Sequence, residues 1–129
     1  MQALRISSLA RPGGRLVSSR PGASLDLAYV ADSTSARLVG MLGTPDPGAD
    51  EALVLVPCRA VHGVGMRARI GAAFVDRRGV VLRVVDPLPA RGAACRGAHA
   101  VIEAASGSLR VVPGDRVWLT GHPVFPHDG

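Results

Sequence analysis

The chain has 129 residues, the length of one ordinary domain, which can bury about two-thirds of the surface that its unfolded form exposes. Its hydrophobic share of 47% suits a packed core, and two cysteines are too few for a dense disulfide framework. The net charge of +5 comes from fifteen scattered arginines, and aromatic residues make up only 3% of the chain. Neither a basic patch nor a set of stacking platforms is apparent, which disfavours nucleic-acid binding.

Membrane insertion and export are disfavoured by the same kind of reasoning. The longest apolar run, Ala52 to Pro57, is far shorter than the ~20 residues of a membrane-spanning helix. Met1 to Ala10 contains polar residues where an export signal needs an apolar run. Cys58 and Cys95 fit a reducing compartment as thiols. We therefore expect a soluble, cytoplasmic protein with no membrane partner.

Turn residues recur at short intervals, which predicts a mainly β chain. The first predicted unit is a hairpin whose strands, Ala3 to Leu9 and Arg15 to Ser18, are joined by the Pro-Gly-Gly turn in Arg11 to Gly14. Leu25 to Ala31 then alternates at its start and becomes continuously apolar, which predicts a strand that passes from a half-exposed to a buried position.

A short helix is predicted next. Asp32 to Ser35 offers residues that cap a helix, Ala36 to Leu42 carries apolar residues at helical spacing, and Gly43 ends the pattern. After a loop rich in proline and glycine, Ala52 to Val56 has the continuous apolar character of a buried strand.

The second half of the chain contains the clearest hairpin signal. Ile70 to Val75 and Val80 to Val85 flank Asp76 to Gly79, with Asp and Gly at the two turn positions that favour them. Pro87 to Arg96 is predicted to be irregular. The remaining predicted elements are a strand at His99 to Ala104, a helical turn at Ser106 to Val111, a last strand at Arg116 to Thr120 and a frayed tail at Gly121 to Gly129.

Five short strings carry a resemblance to a known family: Arg37-x-x-Gly40-Met41-Leu42-Gly43, Cys58 to Arg67, Phe74-Val75-Asp76, Val101-Ile102-Glu103 and Gly114-Asp115-Arg116-Val117. Together they resemble, over about residues 31–119, the family called domain of unknown function 192. The chain is most similar to the branch with a Cys-x-x-x-His-x-x-x-Met string, here Cys58, His62 and Met66. It departs at Gly71, where the family generally has an acidic residue, and at Thr44, where an arginine is common.

The resemblance implies a compact, barrel-like β fold with a short helix closing one side, and it implies no activity. We expect one domain over residues 1–129, mainly β and at the margin of the α+β class. Its sheet is expected to be single, antiparallel and barrel-like, with the one short helix near residues 34–42 and the frayed tail at residues 121–129.

Cys58, His62 and Met66 are residue types that bind copper or zinc, so one alternative function is a soft-metal or redox module that uses these three residues. Gly63 and Gly65 disfavour a helix there, and in a strand residues four apart lie about 13 Å apart, so a shared ion is not favoured. A second Cys-x-x-x-His string could complete the ligand set; it consists of Cys95 and His99. A cysteine-dependent hydrolase or transferase, with Cys58 as nucleophile and His62 or His99 as base, is another alternative.

No phosphate loop, dinucleotide fingerprint or nucleophile elbow is present, so we expect no cofactor. The favoured function is a non-enzymatic module that binds a small molecule or a protein partner. The predicted binding residues are His62, Met66, Arg67 and Arg69, with His62 expected at the rim of a shallow concave surface, Met66 beneath it and Arg67 or Arg69 beside it. Arg37 and Glu103 are expected to be structural instead, both at least half buried and paired, because a buried charge is costly without a partner.

Overall fold

The computed structural model describes residues 10–33, 48–62 and 69–126. Within these ranges the chain forms strands and no helix, which confirms the mainly β class. The same ranges hold no helix with the length and apolar character needed to cross a membrane. The predicted helix at residues 34–42 and the predicted strand at Ala3 to Leu9 lie outside the described residues.

The strands are β1 (Arg11–Ser18), β2 (Leu25–Ala31), β3 (Glu51–Leu55), β4 (Ala60–Val61), β5 (Ile70–Val75), β6 (Val81–Val85), β7 (Ala93–Ala94), β8 (Ala100–Ala105) and β9 (Val117–Leu119).

Seven of these strands form one sheet in the order β6-β5-β8-β3-β2-β1-β9, and β4 pairs with β7 in a separate ribbon. The expected all-antiparallel sheet is wrong at one place, because β2 and β3 pair in parallel from Leu27↔Glu51 to Ala31↔Leu55. Parallel neighbours need a crossover connection of about a dozen residues or more, and residues 32–50 separate the two strands.

The two edges of the sheet meet, so the sheet curls into a barrel-like shape. Val80, just before β6, forms an antiparallel bridge with Arg116, just before β9. The Val81 amide donates to the Asp115 carbonyl, and the Val117 amide donates to the Gly79 carbonyl, both at 2.8 Å. These bonds pair backbone groups that an open sheet would leave at its edges.

The inner face of the curled sheet holds the largest apolar cluster, in which small and branched side chains predominate. The central strands are also covered on their outer face: every residue of β3 and β5 is buried. This double burial explains their continuous apolar sequences, because a strand with one exposed face would alternate. The outer cover includes Cys58, Val61 and Leu88, which pack near the fully buried Phe74.

The hairpin predicted around Asp76 to Gly79 is confirmed, with β5 and β6 paired on either side of it. One oxygen of the Asp76 carboxylate accepts hydrogen bonds from the amides of Arg78 and Val80, each at 2.9 Å. Gly79 has a φ of +87°, a region that favours glycine.

The hairpin predicted at Arg11 to Gly14 is wrong. These residues belong to β1, and the pairing with β2 shifts register on both sides of Gly14, so the glycines serve β-bulges instead of a turn. The real turn comes later in the chain, where the Ala23 amide donates to the Arg20 carbonyl and Gly22 has a φ of +77°. Proline followed by glycine at the centre of a turn is the pattern of a type II turn.

The end of the chain also differs from expectation. Within residues 121–126, the Gly121 amide donates to the Gly13 carbonyl at 2.9 Å, and Phe125 is only 2% exposed within the inner cluster. This segment is therefore packed against the barrel, not frayed, because it supplies one of the few large apolar side chains to the core. Residues 127–129 lie outside the described part. Ser106 to Val111 forms a tight turn around Gly107, without a helix.

The Asp76 carboxylate offers a direct test of the hairpin. We expect Asp76→Ala to lower the free energy of unfolding by about 1–3 kcal/mol, because two backbone amides lose their acceptor. Asp26→Ala is the matched control, since within the described part of the chain the exposed Asp26 carboxylate meets the exposed Arg15 at 3.6 Å. Denaturant unfolding followed by circular dichroism measures both variants. Equal midpoints for the two would contradict the role given to Asp76.

Candidate functional site

The two-stranded ribbon of β4 and β7 lies over the outer face of the main sheet and carries part of the signature segment. Ala60 pairs with Ala94 and Val61 with Ala93, and beyond them the Cys95 amide donates to the Arg59 carbonyl at 2.9 Å. The ribbon is tied to β6 by the Arg83 guanidinium, which donates to the Ala94 carbonyl at 2.6 Å. The signature is thus extended at Ala60 and Val61.

One end of the ribbon holds Cys58, Cys95 and the backbone of His99. The Cys58 amide donates to the His99 carbonyl at 2.9 Å, and Cys58 and Cys95 are both half-buried against the cluster around Phe74. They are thiols, not a disulfide. The Cys58 thiol donates to the Ala60 carbonyl at 3.3 Å. Burial lowers the pKa of His99, and the nearby positive charge of Arg77 lowers it further, so its imidazole is neutral at pH 7.

His62 lies at the opposite end of the ribbon and is exposed. It faces Gly92, whose φ is +83° and whose Cα sits so close to β4 that a side chain there would overlap the Val61 carbonyl oxygen. A Cβ on Gly92 would also lie 2.7 Å from the Cα of His62. A glycine is therefore required where the ribbon presents His62.

Arg69 is exposed on the other side of the loop formed by residues 86–92. The Leu88 amide of this loop donates to the Ile70 carbonyl at 2.7 Å, next to Arg69. His62 and Arg69 therefore flank one loop; we call His62, residues 86–92 and Arg69 the rim. Met66 and Arg67, the other two predicted binding residues, lie outside the described part of the chain.

Two carboxylates are buried on the outer face of the central strands. Glu103 is 4% exposed and lies opposite Leu53 on one side and Ala72 on the other. Arg37 lies outside the described residues, so its pairing with Glu103 stays a prediction. Glu51 is 1% exposed, and one of its oxygens accepts a hydrogen bond from the Gly48 amide at 2.7 Å. Glu51 belongs to no recognisable motif, and its signal in the sequence is an acidic residue directly before the apolar run Ala52 to Val56.

Gly71, where the family generally has an acidic residue, is also close to a carboxylate. A Cβ on Gly71 would lie 2.7 Å from a carboxylate oxygen of Asp86. Asp86 accepts hydrogen bonds from the Ser106 hydroxyl and from the Gly107 amide, the latter at 2.8 Å. A negative group thus reaches this place from the end of β6, and it leaves no room for a side chain on β5.

The alternative metal set is divided between the two ends of the ribbon, with Cys58, Cys95 and the His99 backbone at one end and His62 at the other. In residues 10–33, 48–62 and 69–126, no three His, Cys, Asp or Glu side chains are arranged to hold a metal ion. Met66 is outside these ranges. The geometry therefore offers two separate features, an exposed rim and a half-buried pair of thiols.

Two glycine variants test the close approach that presents His62. Gly22→Ala and Gly92→Ala both place a side chain at positive φ, which costs about 1–2 kcal/mol, but only Gly92 is blocked by backbone, since nothing lies within 4 Å of a Cβ on Gly22. We expect Gly92→Ala to be clearly less stable than Gly22→Ala and to shift the amide resonances of Val61 and His62. Thermal unfolding and NMR spectra measure this, and equal stability would contradict the close packing.

Comparison with known proteins agrees with the fold and with the family resemblance of the sequence. A protein from Sinorhizobium meliloti 1021, named as a proposed transcription regulator, has a similar crystal structure, with a TM-score of 0.72 and 16% identity over 84% of this chain and 94% of that chain. A protein of unknown function from Novosphingobium aromaticivorans DSM 12444 has a TM-score of 0.70 and 17% identity over 90% of each chain. No curated protein matches this sequence. The profile of one family, described as Uncharacterized ACR, matches residues 18–119, and the chain therefore belongs to the family called domain of unknown function 192.

Proposed function

We propose that this domain is a non-enzymatic binding module and that its ligand is a small carboxylate or a carboxylate-bearing partner bound at the rim. The observation that carries the proposal is the exposure of His62 and Arg69 on either side of the loop 86–92. A guanidinium binds a carboxylate through two parallel hydrogen bonds, and an imidazole can add a third donor.

Backbone bonds hold the rim in place before any ligand arrives. The Gly92 amide donates to the Pro89 carbonyl at 2.8 Å, and the Leu88 amide is bonded to Ile70 of β5. The Ser106 amide donates to the Arg69 carbonyl at 3.0 Å, which fixes the start of β5 from the other side. A preorganised loop loses little conformational entropy on binding, which favours a recognition role.

The surroundings of the thiols support binding over catalysis. The Cys58 thiol is half-buried against apolar side chains and donates a hydrogen bond to the Ala60 carbonyl. A cysteine nucleophile needs a base beside it, and His62 lies at the opposite end of the ribbon from Cys58.

NMR titration tests the rim directly. We expect acetate and citrate to shift the amide resonances of His62, Arg69 and residues 86–92, and we expect His62→Ala and Arg69→Ala each to weaken binding at least fivefold. Arg110→Ala is the matched control, because Arg110 is exposed and its loss changes the net charge as Arg69→Ala does. The proposal is wrong if the control weakens binding equally or if the shifts fall elsewhere.

A second candidate function is thiol redox chemistry, favoured by the convergence of Cys58 and Cys95. The Cys95 amide donates to the carbonyl of Arg59, the residue next to Cys58, and both cysteines pack against the cluster around Phe74. The same two thiols could also hold copper or zinc with further ligands.

Oxidised glutathione tests the thiol pair. If the pair is redox-active, both thiols lose their hydrogens and form an S–S bond, while each oxidised glutathione is reduced to two glutathione molecules. Mass spectrometry should then find a protein two hydrogens lighter, and Cys95→Ser should give only a glutathione adduct. Metal analysis of the freshly purified protein separates the soft-metal version. Glutathione adducts on the unaltered protein, with no metal, would contradict this second candidate.

A further inference from the structure

A groove with two arginines lies at the seam where the sheet closes. We propose that it binds a phosphate monoester, a ligand and a site distinct from those of the rim. The groove has a volume of about 380 Å³ and is lined by Arg78, Val80, Arg116 and Pro126. It sits beside the bridge between Val80 and Arg116. We call the groove formed by its four lining residues the seam groove.

The Arg116 guanidinium is held in position by the protein itself. One of its terminal nitrogens donates to the Arg78 carbonyl at 3.3 Å and to the Pro126 carbonyl at 3.2 Å. The Arg116 amide donates to the Ser19 hydroxyl at 2.9 Å. A guanidinium has five N–H donors, so this anchoring leaves donors for a ligand and keeps them oriented.

Arg78 enters the groove from the β5–β6 turn, and its backbone is fixed by the Asp76 carboxylate. Its side chain is exposed and extends from a rigid turn. Arg78 and Arg116 therefore line the groove from the two segments that close the sheet, and each belongs to well-anchored backbone.

Among the residues that the structure describes, the charges around the groove sum to a positive value. Arg77 adds a third guanidinium on the same turn, and its positive charge is felt at His99. Asp115 is paired with Arg20 at 2.8 Å, which offsets its charge. Asp76 is the remaining carboxylate on the turn, and one of its oxygens is committed to two backbone amides. The positive field attracts an anion to the groove.

A phosphate monoester fits this site better than a carboxylate does. It carries close to two negative charges at neutral pH, and it offers three acceptor oxygens to two guanidiniums. Val80 and Pro126 provide apolar contact for a small organic group, and a volume of about 380 Å³ is near the lower end of small-molecule sites.

The seam groove and the rim lie at opposite ends of the β5–β6 hairpin. The turn at 76–79 carries Arg78, whereas Ile70 and Asp86 at the other end adjoin the rim. Five to six residues of strand separate the two ends, a distance of about 17 Å. Residue-resolved measurements therefore distinguish the two sites, and failure of one leaves the other standing.

NMR titration with glycerol 3-phosphate tests the proposal, with acetate as the singly charged carboxylate for comparison. We expect glycerol 3-phosphate to shift the resonances of Arg78, Val80 and Arg116 and to bind at least tenfold more tightly than acetate at this site. Arg78→Ala should weaken binding at least tenfold without unfolding the protein, because Arg78 is held in the turn through its backbone amide and carbonyl, which the variant keeps. Arg110→Ala, with the same change in net charge, should leave the affinity within twofold.

Three outcomes would overturn the proposal. One is an equal loss of affinity in Arg78→Ala and Arg110→Ala, which would indicate general charge attraction. Another is a set of shifts that leaves the seam groove unchanged. The third is tighter binding of a single-stranded oligonucleotide than of glycerol 3-phosphate at the same residues, which would indicate a nucleic-acid surface. Arg116→Lys gives a further check, because it keeps the positive charge and removes the paired donors of the guanidinium. An unchanged affinity of this variant for glycerol 3-phosphate would also count against the proposal.

Discussion

Burial of the central strands on both faces is the constraint on which the rest of this structure depends. Strands β3, β5 and β8 have an inner face in the barrel core and an outer face that must also be kept from water. The outer cover is built from the ribbon and from the loop that follows β6, so these segments are structural before they are functional. Most of the signature cysteine's contacts follow from this role, because Cys58 packs against Phe74 and its neighbours.

The small side chains of the sheet make this cover possible. Ala72, next to Phe74 on the outer face of β5, lets the ribbon backbone approach closely, while Gly92 lets β7 approach β4. The shortage of aromatic residues in the sequence is thereby explained, since the space over the sheet is filled by backbone and by small side chains. Phe74 and Phe125 are the fully buried rings, one on each side of the sheet, and Trp118 and Tyr29 pack against the core with part of their surface exposed.

Much of the fold could be predicted from local patterns, and the errors have physical causes. The β5–β6 hairpin was predictable because Asp76 and Gly79 act within their own turn. The Pro-Gly-Gly string at Arg11 to Gly14 was misassigned because glycine permits positive φ in a bulge as well as in a turn. Three features depend on contacts between distant segments, which no local sequence pattern indicates. They are the parallel pairing of β2 with β3, the docking of Phe125 and the packing of Cys58 and Cys95 against one cluster.

The residues that determine the fold differ from the exposed residues that could carry a function. This difference explains why comparison with known proteins shows the fold and not the function. A core of alanine, valine and leucine requires only size and alternation, so the same barrel persists in proteins that share 16–17% of their residues. The rim and the seam groove instead consist of exposed side chains at the two ends of the β5–β6 hairpin, where substitution costs the core little. Because the hairpin between them is fully built into the sheet, the exposed residues at each end can change without disturbing the other end, which is how one fold can carry different surface sites.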